Sequence, residues 1–161
     1  RVAPEGQEID GRAIHAMSHL TYAVTETERL RPSVDMLIRD VDEEIEVGGF
    51  RIPAGWKVQV AQEVAHLLDD IFAEPEKYDP LRYAPGREED KADRFALIGF
   101  GGGGHKCTGM NFANNEISVI TARLLQQFDL ELVTKNPRVS HGVGAAKPTS
   151  TIIRYRRKTG E

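Results

Sequence analysis

The chain has 161 residues, enough for one domain with an ordinary core, and its 40% apolar and 29% charged residues describe a globular rather than a disordered protein. Twenty-one basic against 25 acidic residues leave a formal charge of −4, which argues against nucleic acid as a partner. No apolar run reaches membrane-spanning length, and one cysteine, Cys107, rules out an internal disulfide framework. A lone thiol and no visible signal segment read as cytoplasm, or the cytoplasmic face of a membrane, rather than secretion. The first residue is Arg1, not methionine, so the length has two readings: a complete small domain, or part of a larger one.

Residues 1–10 mix Pro4, Gly6 and charges and read as a loop. Asp10 is a helix N-cap, and Ala13, Met17, Leu20 and Val24 recur at helical spacing, predicting one helix that Pro32 closes near Leu30. Ile45–Val47 and Phe50–Ile52 flank Gly48-Gly49, a hairpin signal, and Pro53-Ala54-Gly55 turns the chain into the strand Lys57–Val60. The acidic cluster Asp40, Asp42, Glu43, Glu44 and Glu46 beside the hairpin reads as a solvated edge.

From Ala73 to Gly104 the pattern is irregular. Pro75, Pro80, Pro85, Gly86 and the charged run Arg87–Arg94 forbid long elements, and an ordered stretch of this kind is usually functional. A strand-like run, Phe95–Ile98, enters the glycine-rich segment Gly99–Gly104. A second helix follows, with Met110, Ala113, Ile117, Ile120, Leu124 and Phe128 on one apolar stripe. Phe128–Val133 reads as a strand, Gly142, Gly144 and Pro148 frame turns, and Thr151–Tyr155 is the last strand. The basic tail Arg154, Arg156, Arg157 and Lys158 reads as a solubilising end. The class is α+β, two long helices with short antiparallel strands.

Four consecutive glycines, 101–104, invite three readings. Gly99-x-Gly101-x-x-Gly104 fits a dinucleotide fingerprint, although no βαβ pattern surrounds it. The second reading is a turn beside a buried cysteine that acts as a small hydrophobe. The third is a metal ligand: Cys107 sits at the mouth of a helix, where the dipole favours a thiolate. One thiolate cannot close a zinc site but serves as the axial ligand of a haem iron. The glycines would let a flat macrocycle approach the backbone, and Gly109 leaves room on the other side.

Phe100-x-x-Gly103-x-His105-x-Cys107-x-Gly109 resembles the haem-binding signature of cytochrome P450 monooxygenases. His105, where most members carry arginine, resembles the sterol 14-demethylase branch. Glu26-Thr27-Glu28-Arg29 fits the family's ExxR motif, which taken alone reads as an ordinary exposed ion pair worth under about 1 kcal/mol. Pro80-Leu81-Arg82-Tyr83 looks like its PxRF element with tyrosine for phenylalanine. The Val64-Ala65-His66 turn and Phe72-x-x-Pro75-x-x-Tyr78-Asp79-Pro80 stand in family order, and the resemblance spans Asp10 to Lys158. Two positions depart from it: Glu28, where relatives carry an apolar or small residue, and Asp35, a charge beside the substrate segment.

The resemblance implies the C-terminal portion of the P450 fold and haem b, iron protoporphyrin IX, as cofactor. Cys107 would be the axial ligand, in a loop framed by Phe100, Gly101, Gly103 and Gly109. His105, Arg39 and Lys106 would hold or neutralise the propionates. Met36, Leu37, Ile38 and Val143 would lie on the substrate side, and Arg82 would reach back to Glu26 and Arg29 to pin the irregular stretch. The implied activity is oxygen insertion from O2 into an apolar, sterol-like molecule. Electrons would come from a ferredoxin or P450 reductase, so that NAD(P)H acts only indirectly. Residues 1–161 would be the C-terminal, haem-binding part of a larger domain. The distal helix and most of the substrate pocket would belong to an N-terminal half, on the same or a separate chain. Two rivals remain: a non-catalytic P450-like interaction subunit, and a nucleotide-binding domain using the glycine loop.

Overall fold

The computed structural model describes residues 8–34, 36–140 and 145–158; Asp35, Gly142, Val143 and Gly144 lie outside them. Asp10 caps the first helix as expected, its Oδ1 accepting from the Ala13 N–H at 2.8 Å. That helix does not run unbroken to Leu30. Helix α1 (Gly11–Ala16) stops at Met17, whose ψ of 58° leaves helical space, and α2 (Ser18–Leu30) restarts beyond it. The Met17 N–H turns back to Ile14 O at 3.0 Å, while its carbonyl accepts from Leu20 and Thr21, so the break leaves its backbone groups paired. Apolar spacing registers the shared face of the two helices but not one residue's ψ.

Strand β1 (Met36–Asp40) is followed by the hairpin strands β2 (Ile45–Val47) and β3 (Phe50–Ile52), then by β4 (Lys57–Ala61). Gly48 and Gly49 have φ of 57° and 82°, the left-handed pair that a tight two-residue hairpin requires. β1 pairs antiparallel with β4, from Met36 opposite Ala61 to Asp40 opposite Lys57, and those last two side chains form an ion pair. Within the acidic cluster Glu44 also meets Arg51 at 3.0 Å, with both side chains at least half exposed.

After the short α3 (Gln62–Ala65), residues 66–109 contain only 3-10 turns, at Pro80–Tyr83, Glu89–Lys91 and Gly103–His105. Phe95–Ile98, expected as a strand, is part of this irregular path. Helix α4 (Met110–Gln127) follows; Phe128 leaves it and opens β5 (Phe128–Leu132), which pairs antiparallel with β8 (Ile153–Arg157). The basic tail does more than solubilise: Arg154 meets Glu131 at 2.6 Å and Arg156 meets Asp129 at 2.8 Å across this ribbon. β6 (Arg138–Ser140) pairs with β7 (Lys147–Thr149), and Pro148 lies inside β7 rather than in a turn. A two-stranded ribbon leaves an unpaired edge, which is where a strand tolerates proline.

Among the described residues all four sheets are two-stranded and antiparallel, and the architecture is α+β. The largest fully buried side chains are Arg29, Arg82, Phe72, His66, Gln62 and Glu26, so the centre of the molecule is polar and charged. The apolar stripe of α4 is exposed instead, with Ile117, Ile120 and Leu124 at 44%, 53% and 43%. Its buried positions are Ser118, Ala122 and Gln126, and the helix packs on α1 and α2. No helix among the described residues is long and apolar enough to cross a membrane.

Candidate functional site

Glu26 and Arg29 sit one turn apart on α2, which puts both on the same face. Arg29 grips the carboxylate with two donors, Nε to Oε2 and Nη2 to Oε1, each at 2.9 Å. Arg82, from the 3-10 turn at Pro80–Tyr83, adds Nε to Oε1 at 3.0 Å; the Asp79 N–H and the Tyr83 hydroxyl bring the total to five hydrogen bonds. Burial pushes the Glu26 carboxyl up, but the bonds from Arg29, Asp79, Tyr83 and Arg82 outweigh it and hold Glu26 below its ordinary value. Tyr83 shifts upward, through burial first and then through its bond to Glu26.

The remaining donors of the two arginines tie down the irregular stretch. Arg82 reaches Ala73 O at 3.0 Å, Lys77 O at 3.1 Å and the Glu89 carboxylate. Arg29 reaches His66 O at 2.7 Å and Lys77 O at 3.4 Å. Phe72, fully buried, lies 4.9 Å from the Arg29 guanidinium and 5.9 Å from that of Arg82. Two arginines balance Glu26 and Glu89, so the buried charges are mutually compensated.

The cysteine loop begins at Ile98, whose carbonyl accepts from Gln62 and, at 2.7 Å, from the Gly101 N–H. Gly101 has φ +76°, and a Cβ there would stand 3.0 Å from the His105 carbonyl. The Cys107 N–H donates to Phe100 O at 2.8 Å and closes the loop, leaving Cys107 exposed three residues before Met110, the first residue of α4. His105 and Lys106 are exposed on the same loop, and a Cβ at Gly109 would lie 3.8 Å from the Cys107 sulfur.

Next to the loop is a cleft of about 240 Å³ lined by Leu37, Arg39, Val60, Phe95, Ile98 and Gly102. It brings Arg39 and Leu37 to the loop but not the whole segment: alternation along β1 turns Met36 and Ile38 to its other, exposed face. Val143 lies outside the described residues. Phe95 packs where Gly102 leaves room, 3.0 Å from the position of a Cβ. The sequence placed Phe95 only in a strand-like run and His66 only in a turn, and singled out neither Gln62 nor Glu89. Glu28 fills the space that a side chain at Gly99 would need, 2.7 Å from its Cγ to the Cβ position. Burial raises its carboxyl to about 7, against the opposing charge of Lys106.

A sequence model of the cytochrome P450 family matches residues 1–153. The chain belongs to the cytochrome P450 family. It is similar to the sterol 14-demethylase of Arabidopsis thaliana, 36% identical over 98% of this chain and 34% of that protein. It is 33% identical to a sterol 14alpha-demethylase of Mycolicibacterium vanbaalenii over 96% of this chain and 35% of the relative. The solved structure of retinoic acid-bound cyanobacterial CYP120A1 superposes with a TM-score of 0.87 at 29% identity, covering 95% of this chain and 35% of that one. The chain therefore spans about a third of the length of the P450s it matches.

The dinucleotide reading of the glycines does not hold for this P450 chain. No strand leads directly into Gly99, no parallel pair exists among the described residues, and α4 starts six residues beyond Gly104. The loop does fit a flat cofactor on the sulfur. Nothing lies within 4 Å of a Cβ at Gly103 or Gly104, so the loop has an open face beside the exposed thiol, and Arg39 supplies a cation from the neighbouring strand.

Proposed function

We propose that this chain is the C-terminal part of a haem-thiolate monooxygenase, with Cys107 as the axial ligand of haem b. The observation that carries the reading is the exposed Cys107 at the mouth of α4, held by its backbone bond to Phe100 and by the left-handed turn at Gly101. When bound, the haem would supply activation of O2 and insertion of one oxygen atom into a C–H bond, with the thiolate donating electron density to iron. The chain's residues do the holding. Arg39 and His105 orient and neutralise the propionates, and Lys106 adds positive charge beside them. Leu37 lines the cleft next to Arg39, while Met36, Ile38 and Val143 belong to the substrate side of the same reading. An apolar, sterol-like substrate is supported by relatives named sterol 14-demethylase.

An N-terminal half, on this polypeptide or another, completes the site. The chain's span of a third of its relatives and the exposed stripe of α4 support it. A ferredoxin or P450 reductase delivers the electrons, and NAD(P)H acts only through it.

The test is the carbon monoxide difference spectrum of the reduced assembly containing this chain and its N-terminal half. A thiolate-type Soret band is expected, and Cys107→Ser abolishes it in protein that stays soluble. A band that survives the substitution overturns the ligand assignment. Absence of haem uptake by the wild-type assembly supports a non-catalytic interaction subunit instead.

A further inference from the structure

We infer that His66 is a positioning residue for the cysteine loop, a neutral imidazole that couples the Glu26–Arg29 pair on α2 to the backbone of Ile98, where the loop begins. His66 is fully buried directly after α3, with both ring nitrogens engaged. The Ile98 N–H donates to Nε2 at 2.9 Å, so Nε2 carries no proton. Nδ1 therefore bears the hydrogen and donates to Arg29 O at 3.0 Å. The contact with α2 is reciprocal, since Arg29 Nη1 donates to His66 O at 2.7 Å. Burial, with the Arg29 charge adding to it, lowers the pKa of His66 against the opposing bond to the Arg29 carbonyl, which agrees with a neutral ring.

Ile98 is consequently held at both backbone groups. His66 takes its N–H, and Gln62, four residues before His66, takes its carbonyl. The same carbonyl accepts the Gly101 N–H that sets the left-handed turn, and only Gly99 separates Ile98 from Phe100, whose carbonyl receives the Cys107 N–H. A continuous series of bonds thus runs from Glu26 through Arg29 and His66 to the loop carrying the sulfur. The clamp stands on the protein alone; only its effect on the thiolate rests on the function proposed above.

Two substitutions separate the ends of the imidazole. His66→Gln places an acceptor where Nε2 stood, whereas His66→Asn keeps a donor at the Nδ1 position and abandons Ile98. Amide exchange on the full chain in its native assembly is expected to run at least tenfold faster at Ile98 and Gly101 in the Asn variant. Exchange in the Gln variant stays within about threefold of wild type, and residues 78–83 are unchanged in both. Nitrogen NMR of the wild-type imidazole should show the proton on Nδ1 at neutral pH. In the haem-loaded assembly, the Asn variant loses thiolate-type carbon monoxide complex that the Gln variant retains. Equal exchange in the two variants, or a ring protonated on Nε2, overturns the clamp. A wild type with no thiolate band but with the predicted exchange pattern overturns only the haem-thiolate reading.

Discussion

Arg82 Nε donates to Glu26 Oε1 across 3.0 Å and 56 positions of chain, and neither side chain has solvent exposure. Burying two such charges is favourable only when each lone pair and donor is matched, and here Glu26 accepts five hydrogen bonds. This pair fixes the path of residues 73–89, which has no long element of its own. Helix α2 is the rigid member and the irregular stretch is moulded onto it.

Removing one partner strands the others. Arg82→Met is expected to destabilise the chain by about 3–5 kcal/mol in denaturant unfolding, because Glu26 and Glu89 lose a shared buried cation. Tyr83→Phe removes only the 2.9 Å hydroxyl bond to Glu26 and should lose about 1–2 kcal/mol. Arg82→Lys should behave like Arg82→Met rather than like wild type, since one ammonium cannot serve four separated acceptors. Unfolding midpoints that leave these variants equal to wild type would remove the buried pair as the source of order.

Glu26 and Glu28, two residues apart on α2, shift in opposite directions, and the signs predict a stability maximum in mildly acidic solution. Glu26 is held below its ordinary 4.5, so its contribution is present above that value and is lost as pH falls. Glu28 is raised from 4.5 to about 7; its contribution is complete below 4.5 and disappears as pH climbs through 7. Glu28→Gln should therefore be more stable than wild type at pH 8 by roughly 1–3 kcal/mol, with the advantage fading toward pH 5. Urea unfolding across pH 5–8 checks it, and an unchanged difference across that range would count against a buried acid at this position.

Much of this arrangement was legible because its parts are short and local. The Glu26–Arg29 spacing, the Asp10 cap, the Gly48-Gly49 hairpin and the fixed positions around Cys107 all lie within a few residues of one another, where backbone geometry dictates who meets whom. The contacts of His66 and Gln62 were not legible because their partner, Ile98, is more than thirty residues away and is engaged through its backbone, which has no sequence signature. The break at Met17 turned on one ψ angle. The stripe of α4 was readable as apolar but not as exposed, since a repeating pattern marks a face without naming what covers it. Likewise Met36–Arg39 was recognisable as a segment, and only pairing with β4 assigned Leu37 and Arg39 to one face and Met36 and Ile38 to the other.

Two glycines of the loop should respond differently to alanine. At Gly101 the left-handed φ of +76° and the His105 carbonyl 3.0 Å from the Cβ position make Gly101→Ala strained, by about 1–2 kcal/mol. Gly104 has open space in front of its Cβ and no left-handed φ, so Gly104→Ala should fall within about 0.5 kcal/mol of wild type. Thermal unfolding of the two variants gives the comparison, and haem retention in the assembly should follow the same order. Equal losses would mean that the turn at Gly101 is not what shapes the loop.

The exposed stripe of α4 leads to a prediction about association rather than folding. Ile120 is 53% exposed between Ile117 and Leu124, while the positions that the helix buries are Ser118, Ala122 and Gln126. A charge at Ile120 therefore removes little from the chain itself, and Ile120→Asp should change its own stability by no more than about 0.5 kcal/mol. If the N-terminal half covers this stripe, the same aspartate must be desolvated on assembly, and association should weaken at least tenfold, about 1.4 kcal/mol. Titration of the separately produced halves, or retention of haem by the joined protein, measures it. Gln126→Ala offers the opposite pattern, because its side chain lies on the buried face: the chain's own stability falls while the stripe presented for association is untouched.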